Sequence, residues 1–180
     1  MRVISCTARG TVLKTPDGMK TRPTADRVKE ALFSIIQFDL PGATVLDLFG
    51  GTGQLGIEAM SRGAQRAFFV DASDAACALI RENLKRTSFI DQSRVMRADF
   101  RNFLKNTVEK FDIIFLDPPY MEDFLEISLK MITEIDILQS GGIIVTERPV
   151  EKVLDLNFSG YSKSRDYRYG KAVLTVYRKN

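Results

Sequence analysis

The chain has 180 residues, 44% of them hydrophobic, with two cysteines and a net charge of +3. That length fits one domain with a complete core, and no apolar run approaches the roughly eighteen residues that a membrane span needs. Cys6 and Cys77 lie far apart and outside any C-x-x-C pattern, which gives no disulfide or zinc framework. The first residues lack the apolar segment of a signal peptide, so we expect a cytoplasmic protein with no metal site.

The charge is distributed unevenly along the chain. Residues 1–30 hold seven basic and three acidic side chains, residues 161–180 hold six and one, and residues 31–160 hold thirteen and nineteen. Basic termini around an acidic centre suggest that the termini hold a polyanion. The alternative is that basic ends only keep the chain soluble.

The first 40 residues predict a small extension ahead of a main domain over residues 41–180. Two short β-prone segments, residues 2–5 and 10–14, precede a turn at Pro16-Asp17-Gly18, so we expect a β ribbon. Thr24 is the predicted N-cap of a helix. The apolar residues that follow recur on one face of that helix: Val28, Ala31, Leu32, Ile35 and Ile36.

The next segment is a short apolar strand, a glycine-rich loop and a helix, which is the arrangement that binds nucleotides in α/β sheets. Glycine lets the backbone turn sharply and approach a ligand closely. Gly51, Gly53 and Gly56 form a G-x-G-x-x-G, with Asp71 about twenty residues on, as a dinucleotide-binding fingerprint requires. A dehydrogenase is therefore a serious alternative.

Two features favour S-adenosylmethionine (SAM) over a dinucleotide. Asp47 ends the strand before the glycine loop, where a carboxylate would repel a pyrophosphate but suits the cationic amine of SAM. The chain also has no histidine, so hydride-transfer machinery is not evident.

The rest of the chain alternates between predicted strands and helices. We expect strands at residues 67–70, 94–97, 111–116 and 143–146, and helices capped by Ser73, over residues 100–106 and over about 122–138. Two antiparallel strands, residues 161–169 and 172–177, are expected at the end. Alternating βα units imply a parallel sheet with right-handed crossovers.

The most informative motif is Asp117-Pro118-Pro119-Tyr120, which ends the apolar strand at residues 111–116. Prolines cannot continue a central strand because they donate no ladder hydrogen bond. An acid, a rigid carbonyl and an aromatic ring thus stand at the carboxyl end of the strand. Asp117 and a proline carbonyl can accept both hydrogens of an exocyclic amine, and Tyr120 can stack on a flat heterocycle. The alternative is a plain tight turn with a solvated acid.

On these motifs the chain resembles the bacterial small-subunit (16S) rRNA guanine-N2 methyltransferases of the RsmD type. The resemblance covers nearly the whole length. It rests on residues 22–33 (RPTADRVKEALF), residues 46–59 (LDLFGGTGQLGIEA), residues 61–64 and the motif at residues 117–120. It implies a Rossmann-like class I SAM methyltransferase, an α/β fold. The sheet would be seven-stranded and mostly parallel, with helices on both faces and the last strand inserted antiparallel.

The resemblance also implies roles for individual residues. Asp47 and the loop Phe49, Gly50, Gly51, Thr52 and Gly53 would cradle the methionine part of SAM. Asp71 would bind the ribose hydroxyls, and Asp99 with the backbone of Phe100 would bind the adenine edge. Asp117 and the Pro118 carbonyl, followed by Pro119, would hold the guanine amine, with Tyr120 stacked on the base.

Several of these residues have simpler alternative interpretations. Asp71 and Asp99 could cap the helices that follow them. The side chains of Phe49 and Phe100 are more typical of a core than of a ligand contact. Arg22, Thr24 and Arg27, which the resemblance places in contact with RNA, could be a helix start with solvated charges.

The resemblance implies an N-terminal extension that faces RNA and a monomer that acts on rRNA within a ribosomal subunit or an assembly intermediate, with no membrane partner. The family often has two glycines where this chain has Ser5 and Cys6, and a second basic cluster where it has Thr11 and Val12. Those departures weaken the case for RNA contacts by the ribbon.

Two other functions remain open from the sequence. The motif at residues 117–120 alone allows an amino-methyltransferase that acts on DNA adenine N6 or on a protein glutamine. A non-catalytic RNA-binding assembly factor could keep the same fold, although the intact glycine loop and Asp117 speak against it.

Overall fold

The computed structural model describes residues 1–16, 23–119, 123–154 and 157–180. The helices are α1 (Pro23–Ile35), α2 (Gln54–Ser61), α3 (Asp74–Arg86), α4 (Phe100–Asn106) and α5 (Phe124–Ile135). The strands are β1 (Thr44–Asp47), β2 (Arg66–Asp71), β3 (Ser93–Arg97), β4 (Phe111–Leu116), β5 (Leu138–Pro149), β6 (Tyr161–Lys163), β7 (Tyr167–Tyr169) and β8 (Ala172–Lys179). Short 3-10 turns occupy Cys6–Ala8 and Ile90–Gln92.

All eight of these strands form one sheet in the order β3-β2-β1-β4-β5-β8-β6, with β7 also paired to β8. The first five strands are parallel, and β8 is inserted antiparallel beside β5. Since β6 and β7 pair with successive stretches of the same strand, the sheet is seven positions wide. The predicted α/β fold with a mostly parallel sheet is confirmed.

Apolar side chains pack against both faces of the sheet, because neighbouring strand residues point to opposite sides. Val45 and Phe69 belong to a core with α1, α2 and α3. Leu46 and Phe68 belong to a second core with α4 and α5. The central strands are buried on both faces, which explains why they read as continuous apolar runs rather than alternating ones.

Several predicted elements need correction. The N-terminal ribbon is reduced to a single antiparallel bridge between Arg2 and Val12, beside the 3-10 turn. Helix α1 begins at Pro23, so Thr24 is a helical residue and not the N-cap. This start is favourable because proline has the right φ for the first helical position and lacks the N–H that would be unpaired there.

Two predicted elements near the C-terminus are shorter than expected. Helix α5 ends at Ile135, because Asp136 adopts the left-handed conformation, and Leu138 then pairs with Phe111 as the start of β5. The predicted strand over residues 161–169 is broken at residues 164–166, which separate β6 from β7.

The predicted division at residues 40/41 stays a prediction. Val3, Leu13 and Phe33 of the predicted extension are buried in the same core as Val45 and Ile57. None of the helices within the described ranges is long and apolar enough to cross a bilayer. The predicted turn over residues 16–18 lies mostly outside the described residues.

Candidate functional site

A cavity of about 850 Å³ lies at the carboxyl ends of the parallel strands. This is the edge at which open α/β sheets bind their ligands. The predicted site residues that line it are Asp47, Phe49, Gly50, Gly51, Thr52, Asp71, Asp99, Phe100, Asp117, Pro118 and Pro119. Most of the predicted cofactor and acceptor residues are therefore brought to one cavity. Tyr120 lies outside the described residues.

The glycine loop after β1 makes a turn that requires glycine at three positions. Gly51 and Gly53 have φ angles of 54° and 76°, which side chains other than glycine rarely adopt. A Cβ on Gly50 would lie 2.8 Å from the Ile80 side chain. Gly50 thus lets the loop pack closely against α3, and Gly51 and Gly53 shape its turn. Gly53 does not line the cavity itself but precedes α2.

Asp47 sits beneath this loop with only 2% of its surface exposed. Its Oδ2 atom accepts a hydrogen bond from the Gly56 backbone N–H at 3.1 Å. Burial raises the pKa of Asp47 to about 7, the Gly56 hydrogen bond lowers it, and the charge of Asp71 raises it further. A cation bound beside this carboxylate would favour its ionised form.

Gly56 allows the close approach of α2 to the sheet. A Cβ at this position would overlap the ring of Phe69, which is fully buried. The third glycine of the G-x-G-x-x-G thus serves helix–strand packing, which is its known role in dinucleotide-binding folds. The literal match to that fingerprint reflects shared packing and does not by itself select a dinucleotide.

Asp71 holds the glycine loop and does not cap α3. Its Oδ2 accepts the Gly51 N–H and its Oδ1 accepts the Ser73 N–H, both at 2.9 Å. The cap of α3 is Ser73, as predicted, with its Oγ accepting from Ala76 at 3.3 Å. Each carboxylate oxygen has two lone pairs, so Asp71 can still accept hydroxyl groups from the cavity.

Asp99 combines both interpretations that the sequence left open. It caps α4 by accepting the Arg101 N–H at 2.9 Å and the Asn102 N–H at 3.4 Å, and it also lines the cavity. Capping uses one of its oxygens, Oδ1. The second oxygen is within 3.6 Å of the Arg101 guanidinium.

An aromatic cluster forms the wall beside Asp99. Phe49, Phe100 and Phe124 pack with ring centroids 5.1–6.2 Å apart, and the Arg101 guanidinium lies over Phe100 and Phe124. Phe100 is buried, as expected for a core residue, but all three phenylalanines also line the cavity. The sequence analysis missed Phe124; an apolar residue at the start of a helix just after the motif is the only local signal.

Asp117 and the two prolines follow β4 directly and lie on the same cavity wall. Burial raises the pKa of the Asp117 carboxyl well above its ordinary value, and the negative charges of Glu147 and Asp47 raise it further. Glu147 stands on β5 one residue beyond Thr146, which pairs with Leu116. Three carboxylates, Asp117, Asp47 and Glu147, thus influence one another at this edge.

The N-terminal segment also lines the cavity, which the sequence did not predict. Met1 and Pro16 both contribute to its wall, and the Thr52 hydroxyl lies 3.4 Å from the Met1 sulfur. No local pattern announces such a contact, since it joins positions about fifty residues apart. Thr52 of the glycine loop therefore contacts the N-terminal segment.

Glu58 fastens this segment to α2. It is fully buried, and its carboxylate accepts the Ile4 N–H at 2.8 Å and the Ser5 N–H at 3.2 Å. It also lies 2.8 Å from the Arg62 Nε and 3.5 Å from the Lys29 Nζ. The one sequence feature that could have indicated this role is an acidic residue within the otherwise apolar stretch of α2. Burial lowers the pKa of Lys29, which the charge of Glu58 opposes.

Of the three predicted RNA-contact residues, only Arg27 has a described side chain. Arg27 is exposed on α1 and is not among the cavity-lining residues. Arg22 lies outside the described residues, and of Thr24 only the helical backbone is described. Their roles stay predictions.

The chain matches known proteins over nearly its full length. The family described as Conserved hypothetical protein 95 matches residues 1–178. "Putative rRNA methyltransferase YlbH" of Bacillus subtilis (strain 168) is 38% identical over 99% of each chain. "Ribosomal RNA small subunit methyltransferase D" of Escherichia coli (strain K12) is 31% identical over 99% of this chain and 90% of its own.

A solved structure also matches the chain over its full length. A structure titled "Putative methyltransferase yhhF from Escherichia coli" superposes with a TM-score of 0.90 at 29% identity. The superposition covers 100% of this chain and 98% of that one.

Proposed function

The chain belongs to the family described as Conserved hypothetical protein 95, and from that premise we propose that it is an RsmD-type methyltransferase. In this proposal it transfers the methyl group of SAM to the exocyclic N2 amine of a guanine in small-subunit rRNA. Relatives that carry the name of small-subunit rRNA methyltransferases support the substrate class. The observation that carries the chemistry is that the glycine loop and Asp117-Pro118-Pro119 line one cavity.

The donor set of the cavity fits SAM. Gly50 and Gly51 of the glycine loop line the cavity and have no side chain to occupy it, and buried Asp47 beside them suits the ammonium of the methionine part. Asp71 and Asp99, at the ends of β2 and β3, suit the ribose hydroxyls and the adenine amine. Bound here, SAM supplies an electrophilic methyl group on its sulfonium.

The acceptor side is assigned to Asp117 and Pro118. A guanine N2 amine is a poor nucleophile because its lone pair is delocalised into the ring. Hydrogen bonds from that amine to the Asp117 carboxyl and the Pro118 carbonyl would favour a pyramidal, more nucleophilic nitrogen. The same oxygens would stabilise the positive charge that develops on the nitrogen as the methyl carbon–sulfur bond breaks and S-adenosylhomocysteine is released. The methylated nitrogen then loses one proton, which the adjacent Asp117 carboxylate would accept. Tyr120 is proposed to stack on the base.

Holding the methyl donor and the guanine amine in a productive orientation would supply much of the remaining rate enhancement. Reactants held in a productive orientation can gain about 7–11 kcal/mol relative to free reactants. The two consecutive prolines restrict the backbone at the acceptor oxygens, and the buried carboxylates are already desolvated. No metal or covalent intermediate is required by this scheme.

The target guanine has to leave its stack to reach the cavity. Extrusion costs a few kcal/mol and is easiest for a base in a loop or a single strand. We propose that the partner is small-subunit rRNA within a ribosomal subunit or an assembly intermediate and that the enzyme acts as a monomer.

The test is methyl transfer from labelled SAM to several acceptors. Small-subunit rRNA and small subunits from a strain that lacks this protein, naked DNA and a protein fraction are offered in parallel, and the products are hydrolysed and identified by mass. The proposal predicts N2-methylguanosine in the rRNA. Methylated adenine in DNA or methylated glutamine in protein would identify one of the alternative methyltransferases, and absence of SAM binding would favour the assembly factor.

A further inference from the structure

The hairpin between β7 and β8 carries two basic side chains that have no ion-pair partner among the described residues. Arg168 and Lys171 are both exposed, and neither forms an ion pair within the described parts of the chain. Among the neighbouring basic residues, Arg165 lies over the Tyr167 ring, whereas three others form ion pairs. Lys163, Arg178 and Lys179 pair with Asp166, Asp39 and Asp136 respectively.

Strand register places this hairpin at the same edge of the sheet as the acceptor motif. Tyr169 pairs with Ala172, and Ala172 pairs with Pro149 at the end of β5. On the other side of β5, Thr146 pairs with Leu116 immediately before Asp117. The path from β4 to β7 crosses three strand spacings, which amounts to about 14 Å at about 4.8 Å per spacing.

The surface between the acceptor motif and the β7–β8 hairpin is formed by neighbouring residues of the same sheet edge. Pro118 and Pro119 line a second, small cavity together with Arg148 and Pro149, and Pro149 is the direct partner of the hairpin. A strand of RNA whose base enters the main cavity would therefore extend its neighbouring phosphates over this edge.

The hairpin is held in place by bonds to β5 and by the core. The Val150 N–H donates to the Lys171 carbonyl at 2.9 Å, and Arg148 pairs with Asp166 at 2.6 Å. Tyr167 and Tyr169 pack against the first core. Gly170, with φ of 59°, provides the positive φ of a two-residue hairpin turn. The two cations are thus presented by a fixed element.

Among the described residues, those that line the main cavity include four acids and no basic side chain that could bind an RNA phosphate. These acids are Asp47, Asp71, Asp99 and Asp117, and carboxylates repel phosphates. Phosphate contacts in nucleic-acid complexes come mainly from basic side chains, and they set register and affinity without reading sequence. Exposed basic side chains beside the acidic cavity, without an ion pair among the described residues, would supply such phosphate contacts.

We propose that Arg168 and Lys171 of the β7–β8 hairpin bind backbone phosphates of the RNA strand beside the target nucleotide. The inference rests on the proposed function, since it takes RNA as the substrate. It assigns to the C-terminal hairpin an RNA-holding role in addition to the role expected for the N-terminal extension.

The test compares Arg168→Ala/Lys171→Ala with the wild type in binding an unmethylated small-subunit rRNA transcript. We expect the dissociation constant to rise about tenfold. The slope of log affinity against log salt concentration should become shallower by about one to two, because about one to two fewer ions are released on binding. The affinity for S-adenosylhomocysteine (SAH) and the turnover at saturating RNA stay unchanged. Arg168→Lys/Lys171→Arg, which keeps both charges, restores binding.

A charge-matched control is Lys85→Ala/Lys105→Ala. Both lysines are exposed and stand in the last turns of α3 and α4, at the opposite edge because crossover helices run antiparallel to the strands. Equal weakening in this control, or unchanged affinity in the hairpin variant, would overturn the proposal.

The two proposals fail in different ways. Methyl transfer to rRNA with no effect of the hairpin change would refute only the hairpin. Hairpin-dependent binding of rRNA without any methyl transfer would refute only the proposed activity.

Discussion

The side chain of Asn83 pairs with the backbone of Lys14 as a neighbouring strand would. Its Oδ1 accepts the Lys14 N–H at 2.7 Å and its Nδ2 donates to the Lys14 carbonyl at 3.1 Å. The same amide donates to the Thr52 carbonyl in the glycine loop at 2.9 Å. One fully buried residue of α3 thus joins the N-terminal segment to the loop that lines the main cavity.

Replacing Asn83 with leucine is expected to destabilise the protein by about 1–3 kcal/mol, because it leaves buried backbone groups without partners. Affinity for SAH should also fall, since the loop loses its attachment. Urea unfolding and SAH titration measure the two effects. Asn102→Leu, at an exposed position on α4, is the control, and equal behaviour of the two variants would contradict this role.

Glu58 is predicted to be essential for stability. Glu58→Ala leaves the charge of buried Lys29 uncompensated and removes the acceptor of two backbone N–H groups, so we expect a loss of about 3–5 kcal/mol in the free energy of unfolding. Adding Lys29→Met should recover part of it. Chemical denaturation of the single and double variants provides the measurement.

The matched control for Glu58 is Glu82→Ala. Glu82 also has two basic partners, Lys14 and Arg86, but its side chain is 42% exposed, and exposed ion pairs contribute little. A Glu82 variant as unstable as the Glu58 variant would show that burial is not the cause.

Cys6 is predicted to be a strained position. Its φ is 62°, a conformation that costs residues other than glycine roughly 1–2 kcal/mol. Cys6→Gly should stabilise the protein by less than about 1 kcal/mol, because the added entropy of unfolded glycine offsets part of the gain. Cys6→Val should destabilise it. Thermal unfolding of both variants provides the measurement. A Cys6→Val variant more stable than Cys6→Gly would refute backbone strain at this position.

Binding of SAH should depend on pH through Asp47. The pKa of this carboxyl is raised to about 7, chiefly by burial, so it is protonated at lower pH and cannot pair with the ligand's ammonium. Affinity should therefore rise with pH up to about 7, approaching tenfold per unit well below it, and then level off.

Titrations of SAH between about pH 5.5 and about pH 8 test this dependence. Asp47→Asn should bind more weakly and without the pH dependence. A wild-type affinity that does not change with pH would exclude Asp47 as the partner of the ammonium.

The local signals in the sequence were sufficient for β4 and for the caps of α3 and α4, whereas β5 runs from Leu138 to Pro149, well beyond the predicted residues 143–146. The bounds of β4 and α4 were predicted correctly, because an apolar run ends at two prolines and because Asp99 is a good N-cap. Ser73 was found for the same reason. The clustering of acids followed from the rule that parallel strands end at a common edge.

The N-terminal segment could not be predicted because its hydrogen bonds are long-range. Residues 4, 5 and 8 donate their N–H groups to the side chains of Glu58 and Ser61, so the expected ribbon does not form a full ladder. The break before β7 has a similar cause. Asp166 there binds Arg148 and Thr175, partners that no local pattern specifies.

Asp117 is the central residue of the proposed acceptor site. The direct measurement is turnover of Asp117→Ala on unmethylated small-subunit rRNA, together with its dissociation constant for SAH. We predict that turnover is lost, a fall of at least about a hundredfold, while SAH binds as in the wild type. Methyl transfer at an undiminished rate in this variant would contradict the assigned acceptor site.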